Sequence, residues 1–325
     1  MKISRLEIED LYGKHNIKLA FDDKLTILVG INGAYKTTIL NVISDMLRLN
    51  ADGNRYYLKH ALMNLTDDCL VNYWQVNGMS LPQFRSFVNE NKDLFSYKNQ
   101  LLSVFNERID KDMPINGFYA LLAKQEGKDL EDDIFRQKVN LDFISNYDVK
   151  AETPSDKSLL DVQLNKLLSD YGFYLTDRNK EVHNRIALGE SVNKEVFNEI
   201  YKYNNIFREL VNRSFSETHK KLDDEESRLQ FIHEDGSKID TWHLSAGEKQ
   251  LLIILLTVLL ERSKEYILLM DEPEISLHVD WQYELLNNIF ELNPHVQVIM
   301  TTHSPMMFGS GWGDKVSYME DLIVQ

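Results

Sequence analysis

The sequence predicts an α/β fold with a mixed sheet core, an N-terminal β-layer and a large helical insertion, and three observations predict it. An apolar strand at 25–29 runs directly into the glycine-rich loop Gly30-Ile31-Asn32-Gly33-Ala34-Tyr35-Lys36-Thr37-Thr38, followed by a helix-periodic stretch to about Leu49. A second apolar strand, 266–270, ends at Asp271-Glu272, and a third, 296–302, ends at His303. Short continuous apolar runs suit strands covered on both faces, and sheets of that kind bind ligands at the carboxyl ends of their strands.

From the N-terminus, 2–8 and 16–21 read as short strands around a turn at Gly13. The strand, loop and helix that follow have the form of a phosphate-binding loop. Backbone N–H groups cradle phosphates, the Lys36 ammonium reaches the β/γ oxygens, and the Thr37 hydroxyl ligates Mg²⁺. Asn32, Gly33, Ala34, Tyr35, Lys36, Thr37 and Thr38 are therefore the candidate ATP contacts here. Tyr35 departs from the pattern G-x-x-x-x-G-K-[ST], which has glycine before the lysine. A side chain at that point obstructs the phosphates, slows turnover or points outward, so binding is expected and hydrolysis is left open.

Residues 51–225 read as a polar, mainly helical insertion. Helices are expected over 57–65, 82–109, 117–125, 158–171 and 194–221, with a strand at 141–147 that returns to the core sheet, so that 139–149 rejoins the core. A hairpin of 228–233 and 238–242 turns at Asp235-Gly236. The core is then 1–50 plus 226–325, in a single domain. Leu244-Ser245-Ala246-Gly247-Glu248-Lys249-Gln250 opens an apolar helix, whose N-terminal N–H groups and dipole favour an anion, and Ser245, Gly247 and Glu248 join the candidate ATP contacts. Asp271 is a candidate Mg²⁺ ligand with Thr37, Glu272 a candidate base for an attacking water, and His303 a group within reach of a terminal phosphate.

The composition narrows the classes. A net charge of −15 speaks against a surface built to grip nucleic acid. The single cysteine, Cys69, forbids an internal disulfide and fits a reducing compartment. The start resembles no signal peptide, and the longest apolar run, 251–260, is about half of what a membrane span needs. A soluble cytoplasmic protein without membrane partners is expected. Cysteine and histidine spacings suggest no metal cluster, leaving nucleotide-borne Mg²⁺ as the metal.

Taken together, Gly30–Thr37, Leu244–Gln250, Asp271–His278 and Thr302–Pro305 resemble the motif set of ABC-type P-loop ATPases, specifically the soluble branch with SMC-like, RecF-like and OLD-like members. The phrase Asp271-Glu-Pro-Glu-Ile-Ser-Leu-His278-Val-Asp-Trp281-Gln282 is similar to that of stand-alone bacterial antiphage-defence ATPases of Septu or PARIS type. The resemblance covers the two ends of the chain well and the middle poorly. It implies that Lys36 and Thr37 contact phosphate and Mg²⁺, that Asp271 supports the metal, that Glu272 is the catalytic base and that His303 is the γ-phosphate switch. It further implies that Leu244–Gln250 completes the site of a second subunit and that Ser276–His278 communicates across the interface. Two heads sandwich two nucleotides in this family, so an ATP-bridged homodimer, within or without a larger assembly, is expected. A separate effector, a nuclease, is the expected partner. Gln75 and Gln137 are weak candidates for the family's coupling-loop glutamine, and Tyr12 for an adenine-stacking ring. A transporter subunit, a DNA-repair head and a binding-only nucleotide-gated scaffold are the alternatives.

Overall fold

A computed structural model describes residues 1–50, 55–76, 79–90, 118–145, 158–223, 229–262 and 264–324. The chain divides into two compact units, Met1–Phe143 with Gln297–Ile299 and Ser317–Gln325, and Ile144–Val296 with Met300–Val316.

The first unit contains strands β1 (Ile3–Leu11), β2 (His15–Ala20) and β3 (Leu25–Val29), helix α1 (Lys36–Arg48), strands β4 (His60–Leu65) and β5 (Cys69–Val76), helix α2 (Leu81–Glu90), strands β6 (Phe118–Gln125) and β7 (Lys128–Leu130), helix α3 (Asp132–Lys138) and strand β8, which begins at Leu141 and ends at Ile144. A seven-stranded sheet runs in the order Ile323–Val324, β2, β1, β4, β5, β6, β7. Its described pairings are antiparallel, with Leu6 opposite Leu19 on one side and Met63 on the other. Register shifts between Ile3 and Arg5 and between Ile8 and Leu11 re-phase β1, so that Ile3, Leu6, Ile8 and Leu11 all point inward. The buried Gln297 side chain accepts from Ile3 N at 2.8 Å and donates to Ile3 O at 2.7 Å and to Asp22 O at 3.0 Å, tying β1 to the approach to β3.

Two expected helices are strands. Over 57–65 and 117–125 the residues are strong helix formers, yet β4 buries Ala61, Met63 and Leu65 at a period of two. β6 pairs with β5 from Val76↔Phe118 through Cys69↔Gln125. Ladder pairing and burial outweigh propensities of a few tenths of a kcal/mol per residue, roughly the spread among ordinary helix formers. Among its described residues, the first half of the 51–225 segment thus contributes four strands to the sheet alongside two helices. Of the helix expected over 82–109, the described part is α2, and 91–109 lies outside the described residues, as do the last residues of the expected strand 141–147.

The second unit begins with α4 (Leu159–Ala187), longer than the 158–171 expected and started by a capping box in which the Ser158 hydroxyl accepts from Asp161 N. The helix expected over 194–221 is broken. α5 (Lys194–Ile200) stops at Tyr201, whose torsions leave the helical region, whose ring stacks on Phe197 and whose hydroxyl donates to Asn179 at 2.7 Å. α6 (Lys202–Phe215) ends before a short strand β9 (Lys220–Leu222). β9 pairs with β10 (Phe231–His233), which pairs with β11 (Lys238–Ile239), so the expected hairpin gains a third strand. Then come α7 (Ala246–Leu260), β12 (Ile267–Asp271), α8 (Val279–Leu292) and β13 (Gln297–Thr302), which contributes residues to both units. α7 is buried along nearly its whole length, which explains why it is apolar all round rather than on one stripe. Among the described residues, no helix is long and apolar enough to cross a membrane.

Candidate functional site

In the first unit, β3 delivers the chain to Gly30 and α1 takes it away at Lys36. A Cβ at Gly30 would lie 3.0 Å from Met319 Cβ and 3.2 Å from Ala34 Cβ, and Gly33 has φ +82°. Gly33 thus sits in a backbone conformation that glycine adopts freely, and a side chain at Gly30 would crowd Met319 and Ala34. Lys36 is buried, and its ammonium donates to the Gly30 and Ile31 carbonyls at 2.9 and 3.2 Å, which folds the loop around the amine. Asn32, Gly33 and Thr37 are exposed, while Ala34, Tyr35 and Thr38 are half-buried. Tyr35 sits at φ 64°, ψ 14°, in the left-handed conformation that glycine adopts freely. Its ring stacks on Tyr12 with centroids 5.5 Å apart and an interplanar angle of 28°, and lies 5.4 Å from the His15 ring. The substitution that set this loop apart keeps the glycine-like backbone and carries its ring to the turn between β1 and β2.

In the second unit, β12 is wholly buried and brings Asp271 and Glu272 to its end. Thr301 Oγ1 donates to Asp271 Oδ1 at 2.6 Å, and Glu272 N donates to Thr301 O at 3.2 Å and to Thr301 Oγ1 at 3.1 Å. Glu272 has φ 48°, an uncommon conformation for a residue that is neither glycine nor asparagine. Its carboxylate meets His303, with Nε2 3.3 Å from Oε1, and both side chains keep partial solvent access. Glu274 lies behind them, 9% exposed, and its Oε1 accepts from Thr302 Oγ1 at 2.7 Å and from His303 N at 2.8 Å. Gln282 links the neighbouring loops, donating to Leu277 O at 3.0 Å and accepting from Ser304 Oγ at 2.6 Å.

The turn that opens α7 is built from a second capping box. Ser245 Oγ accepts from Glu248 N at 3.3 Å, and Ser245 N donates to Glu248 Oε2 at 2.8 Å. Glu248, expected among the ATP contacts, is only 1% exposed and also receives Lys220 Nζ at 2.6 Å. Burial raises its pKa, but the Lys220 ammonium and the Ser245 amide outweigh burial and hold the carboxyl below its ordinary value. Its role in this geometry is to fix the turn. Gly247 is buried with its Cα against the next loop, where a Cβ would fall 2.2 Å from Ser276 O. Lys249 pairs with Asp161 at 2.7 Å, joining this turn to the start of α4.

The structure thus brings Asp271, Glu272 and His303 together in one unit, and Gly247 against the 276–278 loop of the same unit. Thr301, Glu274 and Gln282 were missed by sequence reasoning. The signal was present: two hydroxyl residues directly before His303, and a second glutamate two positions after Glu272, are complementary sets of donors and acceptors. Gln75, the expected coupling-loop candidate, is buried, and its Oε1 accepts from Leu58 N at 3.0 Å. The segment after Tyr147 lies outside the described residues.

Known proteins share parts of this sequence and this fold. Residues 161–306 match the family model described as "AAA domain, putative AbiEii toxin, Type IV TA system". The head of Smc, solved bound to the C-winged-helix domain of ScpA, superposes with a TM-score of 0.50 at 14% identity, over 95% of this chain and 92% of that one. The chain carries an ATPase domain with an ABC-type fold. Over 94% of its length it is 23% identical to the "Septu protein PtuA" of Bacillus thuringiensis, covering 72% of that protein. Over 99% it is 21% identical to the "Retron Vc95 probable ATPase" of Vibrio cholerae serotype O1 biovar El Tor, covering 74%. Each unit by itself offers oxygen donors of the kind a hard cation such as Mg²⁺ takes: in the first the exposed Thr37 hydroxyl, and in the second the buried Asp271 carboxylate that Thr301 orients.

Proposed function

We propose that this ATPase hydrolyses ATP as one head of a homodimer that closes around Mg-ATP, and that the cycle controls a separate effector, a nuclease, in bacterial antiphage defence. The observation that carries the reading is Glu272, held in a left-handed conformation by two bonds from its own amide to Thr301 and facing His303 at 3.3 Å. A carboxylate fixed this way suits the work of a general base.

In this reading Lys36 holds the β/γ-phosphate oxygens, and Thr37 and Asp271 hold Mg²⁺, which when bound neutralises charge on the phosphate oxygens. Glu272 takes a proton from water as the water oxygen bonds to the γ-phosphorus. The bond from that phosphorus to the bridging oxygen breaks, leaving ADP and phosphate. His303 senses whether the terminal phosphate is present, and Glu274 fixes its backbone. Ser245 and Gly247 of the second copy complete the site. The defence and effector parts rest on the likeness to the Septu and retron proteins and on the 271–282 phrase.

Purified protein tested for ATP turnover, and for mass in solution with and without Mg-ATP, checks the reading. Turnover in the parent, loss of turnover with ATP-dependent dimers retained in Glu272→Gln, and co-purification of a neighbouring-gene product support it. A parent that neither binds ATP nor dimerises with it overturns it.

A further inference from the structure

A cleft of about 700 Å³ in the second unit, between α4 and the approach to the Ser245 turn, has no role in the reading so far. Asn165, Ser169 and Gly172 follow the helical repeat on α4 and so share one face, which forms one wall. Gln230, Asp240 and Trp242 contribute to the other. Glycine weakens the interior of a long helix, and nothing lies within 4 Å of where a Cβ at Gly172 would be. No close packing calls for a glycine there; what its bare Cα does is leave the cleft open. Thr241 also lines the cleft and is only 7% exposed, and among the described residues its hydroxyl has no hydrogen-bond partner. A buried hydroxyl left bare costs free energy that a polar group entering the cleft recovers.

The lining sets the chemistry of what enters. Its volume falls in the range of small-molecule sites, about 300–1,000 Å³. Asp240 is the charged residue of the lining, and among the described residues no lysine or arginine joins it, which disfavours phosphates and other anions. Gln230 Nε2 donates to Asp240 Oδ1 at 3.1 Å, which steadies the carboxylate and leaves it acceptor capacity to spare. Trp242, 44% exposed, adds an indole, the side chain that attracts organic cations best.

We propose that this cleft is a second binding site, distinct from the candidate ATP contacts, for a small organic cation bearing a guanidinium or ammonium group. The cation's charge meets Asp240, and its polar hydrogens reach the bare Thr241 hydroxyl. The wall at 240–242 runs directly into Leu244 and the capped Ser245 turn. On the opposite wall Asn165 Nδ2 donates to Asp161 O at 2.7 Å, and Asp161 is the residue that holds Lys249 of that turn. A ligand spanning both walls therefore steadies the Ser245 turn and regulates turnover. The regulatory part rests on the dimer reading above, and the binding part does not.

The test is calorimetric titration of the nucleotide-free full chain with agmatine and with spermidine. One equivalent of either probe should bind saturably, without competition from inorganic phosphate. Asp240→Asn keeps an acceptor for Gln230 and should lose at least about tenfold in affinity, the usual value of a hydrogen bond to a charged group. Gly172→Leu places a side chain in the open space at the wall and should abolish binding, with a thermal unfolding midpoint no lower than the parent's. A parent that binds neither probe saturably, or an affinity unchanged in either variant, overturns the site. ATP turnover that responds to agmatine in the parent and not in Gly172→Leu supports the regulatory part. Equal turnover with and without bound agmatine overturns regulation alone, and a parent without turnover overturns the functional reading while the binding site stands.

Discussion

Replacing Gly247 with alanine tests the tightest approach in the second unit. The added Cβ falls 2.2 Å from Ser276 O and 3.2 Å from Ser276 C, with Trp281 Cζ3 at 3.7 Å. Carbon–oxygen contacts settle no closer than about 3.3 Å, so roughly 1 Å of backbone movement is needed. Neither side yields easily. Gly247 lies in the capped first turn of α7, and Ser276 already sits at φ 69° in a loop closed by Leu277 N donating to Glu274 O at 2.9 Å and by Gln282. Overpacking of this kind costs about 1–3 kcal/mol, and alanine's better helix propensity returns at most about 1 kcal/mol. The net expectation is a loss of about 1–2 kcal/mol. Gly172→Ala is the control, an identical change in α4 where a Cβ meets nothing within 4 Å. It should gain about 0.5–1 kcal/mol. Urea unfolding followed by tryptophan emission reads both, since Trp281 lies at the contact. Equal signs for the two variants, or a Gly247→Ala as stable as the parent, would refute the reasoning.

Glu272→Gln keeps the shape of the side chain and removes the base, so single-turnover ATP hydrolysis should fall by about 10²-fold or more with ATP affinity kept. Glu274→Ala leaves the Thr302 hydroxyl and the His303 amide without their shared acceptor, a loss of about 2–4 kcal/mol on thermal unfolding, together with reduced turnover because His303 is no longer held. Lys249→Met leaves Asp161 without its cation and should cost about 2 kcal/mol at pH 7, less than a fully buried pair because both ends keep some solvent contact. The pH dependence has a definite sign. Burial raises the Asp161 pKa, but Lys249 and Ser158 outweigh it and hold the carboxyl below its ordinary value. A depressed carboxyl stabilises the fold above its unfolded pKa of about 4 and loses that contribution as pH falls through the folded value. The gap between parent and Lys249→Met should therefore close as unfolding is repeated from pH 7 down through pH 4, and a gap that widens with acid would contradict the pairing.

The motif-bearing parts of the fold were legible because their signals are local. β3 into α1, α7 and β12 into Asp271-Glu272 each combine an apolar run with a polar boundary a few residues away, and their limits fall within a residue or a few of the expectation. The sheet of the first unit was not legible for the opposite reason. His-Ala-Leu-Met-Asn-Leu in β4 and Phe-Tyr-Ala-Leu-Leu-Ala-Lys-Gln in β6 favour a helix by composition, and only their partners across the ladder make them strands. β9 is three residues long, too short for alternation to show, and its pairing with β10 is visible only once the chain has folded. At the site, the residues with chemistry were found, and the residues that orient them were not. Thr301, Glu274 and Gln282 act through contacts between segments, which spacing along one segment does not encode.

Strained backbone ties these two levels together. Tyr35, Glu272 and Ser276 all have positive φ, and none is glycine or asparagine. Such a conformation costs about 1–3 kcal/mol and persists where neighbours over-determine it. The neighbours can be named in each case. Thr301 takes the Glu272 amide, and the bare Cα of Gly247 admits the Ser276 carbonyl. Tyr35 has the Tyr12 and His15 rings. The glutamate that would act as base, the loop that would face a second copy and the tyrosine beside the phosphate loop are therefore each aimed by another residue. Mutating the aiming residue should move the site's geometry without touching its chemistry, and for this reason Gly247, Thr301 and Tyr12 are as informative to substitute as Glu272 itself.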